Sequence, residues 1–194
     1  MQFKRMFTTD AYKGTRGYLR TQKTYEILRT VLYFAISLSL FIAGWVATGS
    51  RENLLTIVAV LGCLPACKSL VEMFMFLRYR GCDERAAAQI AAHSDGLTGL
   101  YDMVFTSYEK NYVIHHMTVC GNTVCGYTSD PKFSEQSFYK HIQNILKKDN
   151  YREVSVKIFN DLDKYIKRCE QLKELPAQPE LSAGICQTLK SVSL

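Results

Sequence analysis

Two uncharged apolar runs, residues 31–47 and 54–67, are parted by the polar hexapeptide Thr48-Gly49-Ser50-Arg51-Glu52-Asn53, and the second continues through Lys68 and Glu72 to Leu77. A bilayer core of about 30 Å needs about 20 apolar residues in a helix, with about 17 as the lower limit. The pattern predicts a transmembrane helical hairpin over residues 31–77, with helices at 31–47 and 54–77 and a turn between them. Tyr25, Leu28 and Leu32 keep helical spacing upstream, so the first helix is expected to begin before the membrane. Pro65 lies inside the second and can kink it.

Ala35, Ser39, Ala43 and Ala47 recur every four residues in the first run, and the second offers Ala59, Cys63 and Cys67. Helices in lipid associate where small side chains let backbones approach. These residues are the expected packing seam, within the hairpin or toward other subunits. Lys68 and Glu72, four apart, form an intramembrane polar pair near the inner edge, where a lysine can snorkel to the headgroups.

Beyond the hairpin the period changes. Residues 78–94 read as a helical stalk, alanine-rich over 83–93. Residues 101–107, 112–120 and 123–128 are β-branched and aromatic, separated by polar turns, and predict an antiparallel meander. Asp130 or Ser134 starts a helix to Lys148 with Phe138, Ile142, Ile145 and Leu146 inward. Residues 153–159 alternate as a half-buried strand. Asn160-Asp161 caps a helix over 162–175 with Leu162, Tyr165, Ile166, Cys169 and Leu172 inward. Pro176 and Pro179 precede a linker and amphipathic tail, residues 176–194, whose Leu181, Ile185, Leu189 and Val192 are expected to dock on the module or on a partner. The fold class is thus an α+β membrane protein: an N-terminal two-helix transmembrane hairpin followed by a small cytoplasmic βββαβα module, residues 95–175, with its helices on one sheet face.

Charge sets the orientation. Of the net +6, residues 1–30 carry +5 (seven basic side chains against Asp10 and Glu26), and residues 78–194 carry only +1. A basic juxtamembrane tail resting on anionic headgroups, followed after the second span by Arg78, Arg80 and Arg85, predicts a multi-pass protein with both termini cytoplasmic. The lipid bilayer is one partner, and a protein partner or a second copy is the other. The nearly neutral soluble part argues against nucleic acid. The seven cysteines, two of them within the second span, are expected to be free thiols in a reducing compartment. The apolar block starts too late and is too long for a signal peptide.

One constellation bears on chemistry. With Gly121-Asn122 as a two-residue turn, Cys120 faces Thr123, Thr118 faces Cys125 and His116 faces Tyr127, so one sheet face carries His116, Cys120 and Cys125 as candidate metal ligands. His115 falls on the opposite face in this register. No Cys-x-x-Cys occurs and a fourth ligand must come from afar, so a packed thiol- and hydroxyl-lined sheet face is the plainer account. Cys120 as a nucleophile with His116 as base has no evident orienting carboxylate. No phosphate-binding glycine loop is present. No catalytic residue and no cofactor is assigned. The sequence favours a membrane-anchored adaptor or regulatory subunit over a metal- or thiol-dependent enzyme or sensor, and over a subunit of an oligomeric channel or transporter.

Overall fold

The computed structural model describes residues 12–50, 52–107, 110–176 and 178–194. Lys4, Arg5 and Asp10 of the expected tail, and Arg51 of the expected turn, lie outside them. The chain divides into two compact units: Leu19–Arg80, and Gly81–Leu194 with the residues just before Leu19.

The first unit is a pair of helices, α1 (Tyr18–Thr48) and α2 (Leu54–Arg78). Asn53 caps α2, its side chain accepting from Thr56 N at 2.8 Å, and the helix runs on through Pro65. Both helices are long and apolar enough to cross a membrane, and only 17% of each apolar window is buried. Val31, Leu38, Val46, Val60, Leu64 and Val71 are among the large side chains left exposed.

Along the middle of the pair the facing residues are mostly small or polar. Thr30, Ser37 and Gly44 of α1 meet Ser69, Gly62 and Leu55 of α2. The hydroxyls of Thr30 and Ser69 are 2.8 Å apart. A Cβ on Gly62 would lie 2.8 Å from Ser37 Oγ, and one on Gly44 2.8 Å from Leu55 Cβ. Each step along the seam is seven residues, the spacing that keeps one helical stripe facing an adjacent helix. Here the structure corrects the expected seam as a contact within the hairpin. Ala35, Ser39, Ala43 and Ala47 are all exposed in the pair, as is Cys67, Cys63 is half-buried, and only Ala59 of the expected seam is buried. Four residues overshoot a helical turn by about 40°, so Ala47 sits about 120° round the helix from Ala35 and the two do not both face α2, whereas seven residues drift by only about 20°.

The second unit is mixed α and β. α3 (Glu84–His93) precedes β1 (Thr98–Thr106), β2 (Asn111–Cys120) and β3 (Thr123–Tyr127). α4 (Glu135–Lys148), β4 (Ser155–Phe159), α5 (Leu162–Lys173) and α6 (Pro179–Val192) follow. The sheet order is β1-β2-β3-β4, antiparallel except for the parallel pair β3–β4. Helices cover both sheet faces rather than one. Phe138, Ile142 and Leu146 of α4 and Ile185 and Leu189 of α6 close one core with Leu100, Met103, Phe105, Ile114 and Met117. Ile90 of α3 and Tyr165, Cys169 and Leu172 of α5 close the other with Cys120 and Cys125. The second face is the one lined by His, Thr and Cys, which are buried where a helix supplies their hydrogen bonds.

The tail helix α6 therefore belongs to the module's own core. The outer edge of β1 is also taken: Tyr101 N donates to Gly14 O at 2.8 Å, and Leu194 N donates to Val104 O at 2.9 Å. Lys13 Nζ donates to Ser193 O at 2.9 Å. Gly14 and Lys13, from the expected basic tail, thus pack within this unit.

Candidate functional site

Three polar clusters merit chemical scrutiny. The first is the face singled out by sequence. β2 and β3 pair in the register expected from the two-residue turn, His116 opposite Tyr127, Thr118 opposite Cys125 and Cys120 opposite Thr123. α5 lies over this face, held at its start by Asp161, whose carboxylate accepts from Asp163 N at 3.0 Å. Tyr165 reaches down from α5, its hydroxyl 2.6 Å from His116 Nδ1 and 2.7 Å from Thr118 Oγ1. Cys120 Sγ donates to Leu172 O at 3.5 Å. His116, Cys120 and Cys125 thus each engage α5 separately, and among the described residues no group of three His, Cys, Asp or Glu side chains is placed to hold a metal.

Electrostatics point the same way. Burial pushes the His116 imidazole down to about 3, so the ring is neutral at physiological pH. Burial raises the Cys169 thiol. It raises Cys125 as well, with the Arg168 guanidinium beside it opposing the rise. A reactive cysteine needs its thiolate stabilised, and at these two positions the thiol form is favoured. Gly99 completes the packing: a Cβ there would fall 2.7 Å from His116 Nε2. This cluster is a closed layer between sheet and helix, hydrogen-bonded through His116 Nδ1 while His116 Nε2 is buried without a hydrogen bond among the described residues.

The second cluster escaped the sequence reading. Core contacts toward α4 and α6 come from Leu100, Met103 and Phe105 on β1, and from Tyr112, Ile114, Met117 and Val119 on β2. Both strands slip their alternation at the same place, so Tyr101 with Asp102, and His115 with His116, turn to the α5 side. His115 accordingly packs 6.0 Å from Tyr127, the residue opposite His116, which corrects its expected placement on the opposite face. The cause is Asp102, at φ 56°. Aspartate is one of the few residues that tolerates this left-handed conformation, and its buried carboxylate accepts from Cys82 N at 2.7 Å. An aspartate amid Tyr101, Met103 and Val104 was the available signal. His115 Nε2 lies 2.8 Å from Ser129 Oγ. Burial lowers the His115 imidazole while the Asp102 carboxylate pulls it back up. The hydroxyl, imidazole and carboxylate suggest a nucleophile, base and orienter, but His115 Nδ1 is buried without a hydrogen bond among the described residues. The orienting contact that fixes such a base is missing.

The third cluster is in the helix pair. The Lys68–Glu72 separation is 3.9 Å, yet the Lys68 side chain is 80% exposed. Glu72 is bonded instead to Arg29, which also pairs with Glu26 and donates through Nε to Ser69 Oγ at 3.3 Å. Gln22 Nε2 donates to Glu26 Oε1 at 2.9 Å. The polar centre of the pair is therefore Glu26–Arg29–Glu72. Sequence missed it because its members sit on two helices far apart in the chain.

No protein family, curated protein or solved structure matches the chain, so its function has to be argued from the residues themselves.

Proposed function

We propose that this chain is a membrane-anchored binding subunit. The hairpin α1–α2 crosses the bilayer with both termini in the cytoplasm, and the α+β unit is a binding module offered there to a protein or a small ligand. The observation that carries this reading is the inverted distribution of side chains around the helix pair. Thr30, Ser37, Gly44, Gly62 and Ser69 face inward, while Val31, Leu38, Val46, Val60 and Leu64 face outward. In water that exposure would be unfavourable by about 25 cal/mol per Å². In lipid it costs nothing, and close small-residue packing is what holds helices together there. The lysine and arginine excess over residues 1–30, before the apolar segments, and Arg78, Arg80 and Arg85 after them support the orientation.

Cysteine labelling of intact cells tests it. In a chain kept in alkali-washed membranes, a cysteine at Ser50 is expected to react with an impermeant maleimide while one at Gly96 is protected. Release by alkali overturns the anchor, and the reverse labelling pattern overturns the cytoplasmic placement. Crosslinking in the same membranes reads the assembly: a band at twice the chain mass identifies a second copy, and a discrete band at any other mass identifies a different subunit. A chain that forms neither is not a subunit.

A further inference from the structure

The α5 helix sorts its charges. Lys164, Lys167 and Arg168 lie at helical spacing on one face, continued by Gln171, whereas Asp163 and Glu170 form a separate stripe. Glu170 is turned to α3, its carboxylate 2.8 Å from His93 Nδ1. The basic face overhangs the outer strand β4. Between them runs a groove of about 460 Å³, lined by Lys157, Lys164, Lys167, Arg168, Ser155 and Thr123 among others. Among the described residues, no acidic side chain lines it. The Asp161 carboxylate stands 3.7 Å from Lys164 Nζ and is already spent capping the first amides of α5. Arg168 is half-buried at the groove and is fixed by donating to Gln171 Oε1 at 3.0 Å. Lys157 extends across the Phe159 ring, 5.4 Å from its centre.

We propose that this groove binds a ligand carrying at least two phosphate groups. Four cations converge on a volume suited to one small molecule, which demands a compact polyanion. Phosphate dianions match that demand, because one guanidinium and several ammonium groups can each donate to their oxygens. The carboxylates of an acidic peptide would instead be strung out along its backbone at about 3.4 Å per residue. The hydroxyls of Thr123 and Ser155 and the Gln171 amide supply neutral donors at the margins. The phosphates could belong to a phosphorylated lipid headgroup or to a soluble polyphosphate. The inference names the ligand class of the binding module and so rests on the reading of that unit as one.

The test uses the full-length chain in nanodiscs of phosphatidylcholine, titrated calorimetrically with inositol 1,4,5-trisphosphate, ATP and inorganic phosphate. Saturable binding of inositol trisphosphate or ATP, far tighter than that of inorganic phosphate, is expected. Arg168→Gln, and separately Lys157→Gln with Lys167→Gln, should each weaken it by about tenfold or more, the worth of one lost charge-assisted contact. Lys147→Gln with Lys148→Gln on α4 removes the same charge elsewhere and should leave it unchanged. Equal weakening by the α4 pair would mean diffuse attraction and overturn the site, as would binding no tighter than that of inorganic phosphate. An acidic peptide such as oligoglutamate competing as well as the phosphates would also overturn it. Nanodiscs doped with phosphatidylinositol 4,5-bisphosphate separate the sources: a headgroup site shows suppressed binding of soluble inositol trisphosphate, and a site for soluble polyphosphate shows none. Retention in washed membranes is untouched by any of these outcomes, so failure here is distinct from failure of the anchor.

Discussion

Ser37 and Gly62 meet at a close approach in the middle of the helix pair: the Cβ that Gly62 lacks would fall 2.8 Å from the serine hydroxyl. Bulk at that point must push the helices apart. Gly62→Leu is therefore expected to loosen the pair, while Ala43→Leu, on an exposed position, leaves it intact. Cysteines replacing Thr30 and Ser69, whose hydroxyls lie 2.8 Å apart, report the outcome through disulfide formation in membranes, with Cys63 and Cys67 changed to Ser. Equal disulfide yields in the two leucine variants would refute the seven-residue seam.

Arg29 bridges two carboxylates, and Glu26 is 1% exposed. Removing one partner of a buried ion pair leaves charge without compensation, typically at about 3 kcal/mol or more. Arg29→Ala should lower the unfolding midpoint in detergent markedly. Lys68→Ala, at an 80% exposed side chain, should change stability by less than about 1 kcal/mol. Comparable losses in the two variants would restore Lys68–Glu72 as the central pair.

Asp102 serves two purposes, a left-handed backbone at φ 56° and an acceptor for Cys82 N. Asparagine can meet both. Asp102→Asn is expected to unfold within about 1 kcal/mol of the parent, and Asp102→Ala to lose about 2–4 kcal/mol through backbone strain and an unmet amide. Denaturant titration of the full chain separates them. Alanine tolerated as well as asparagine would mean that the kink is not held by this side chain.

The buried imidazole of His116 gives a pH signature. Its value falls from the ordinary 6.5 to about 3 in the folded chain, so below pH 6.5 the unfolded state binds a proton that the folded state does not. Its contribution is complete above pH 6.5 and is lost as pH falls toward 3, by about 1.4 kcal/mol per pH unit. Between pH 6.5 and 5 the unfolding free energy should drop by about 2 kcal/mol more in the parent than in His116→Gln. Parallel pH profiles would show that the ring is not buried neutral.

Much of this was legible from local pattern. The apolar runs marked α1 and α2 because an uncharged helical stretch is recognisable residue by residue. Gly121-Asn122 set the β2–β3 register because a two-residue turn leaves one pairing. Asp161 announced the start of α5 because capping is a local bond.

Tertiary structure alone decided what depends on partners distant in sequence. The choice of Thr30–Ser37–Gly44 over Ala35–Ser39–Ala43–Ala47 needed the second helix, since both stripes are small and only one drifts slowly enough to track a neighbour. Arg29 joining Glu72, the slip at Asp102 that turns His115 across the sheet, and the burial of His116 and Cys125 beneath α5 all arise from contacts made between elements. A side chain's type is written in the sequence, but whether it meets lipid, water or a hydrogen-bonding partner is set by what packs over it.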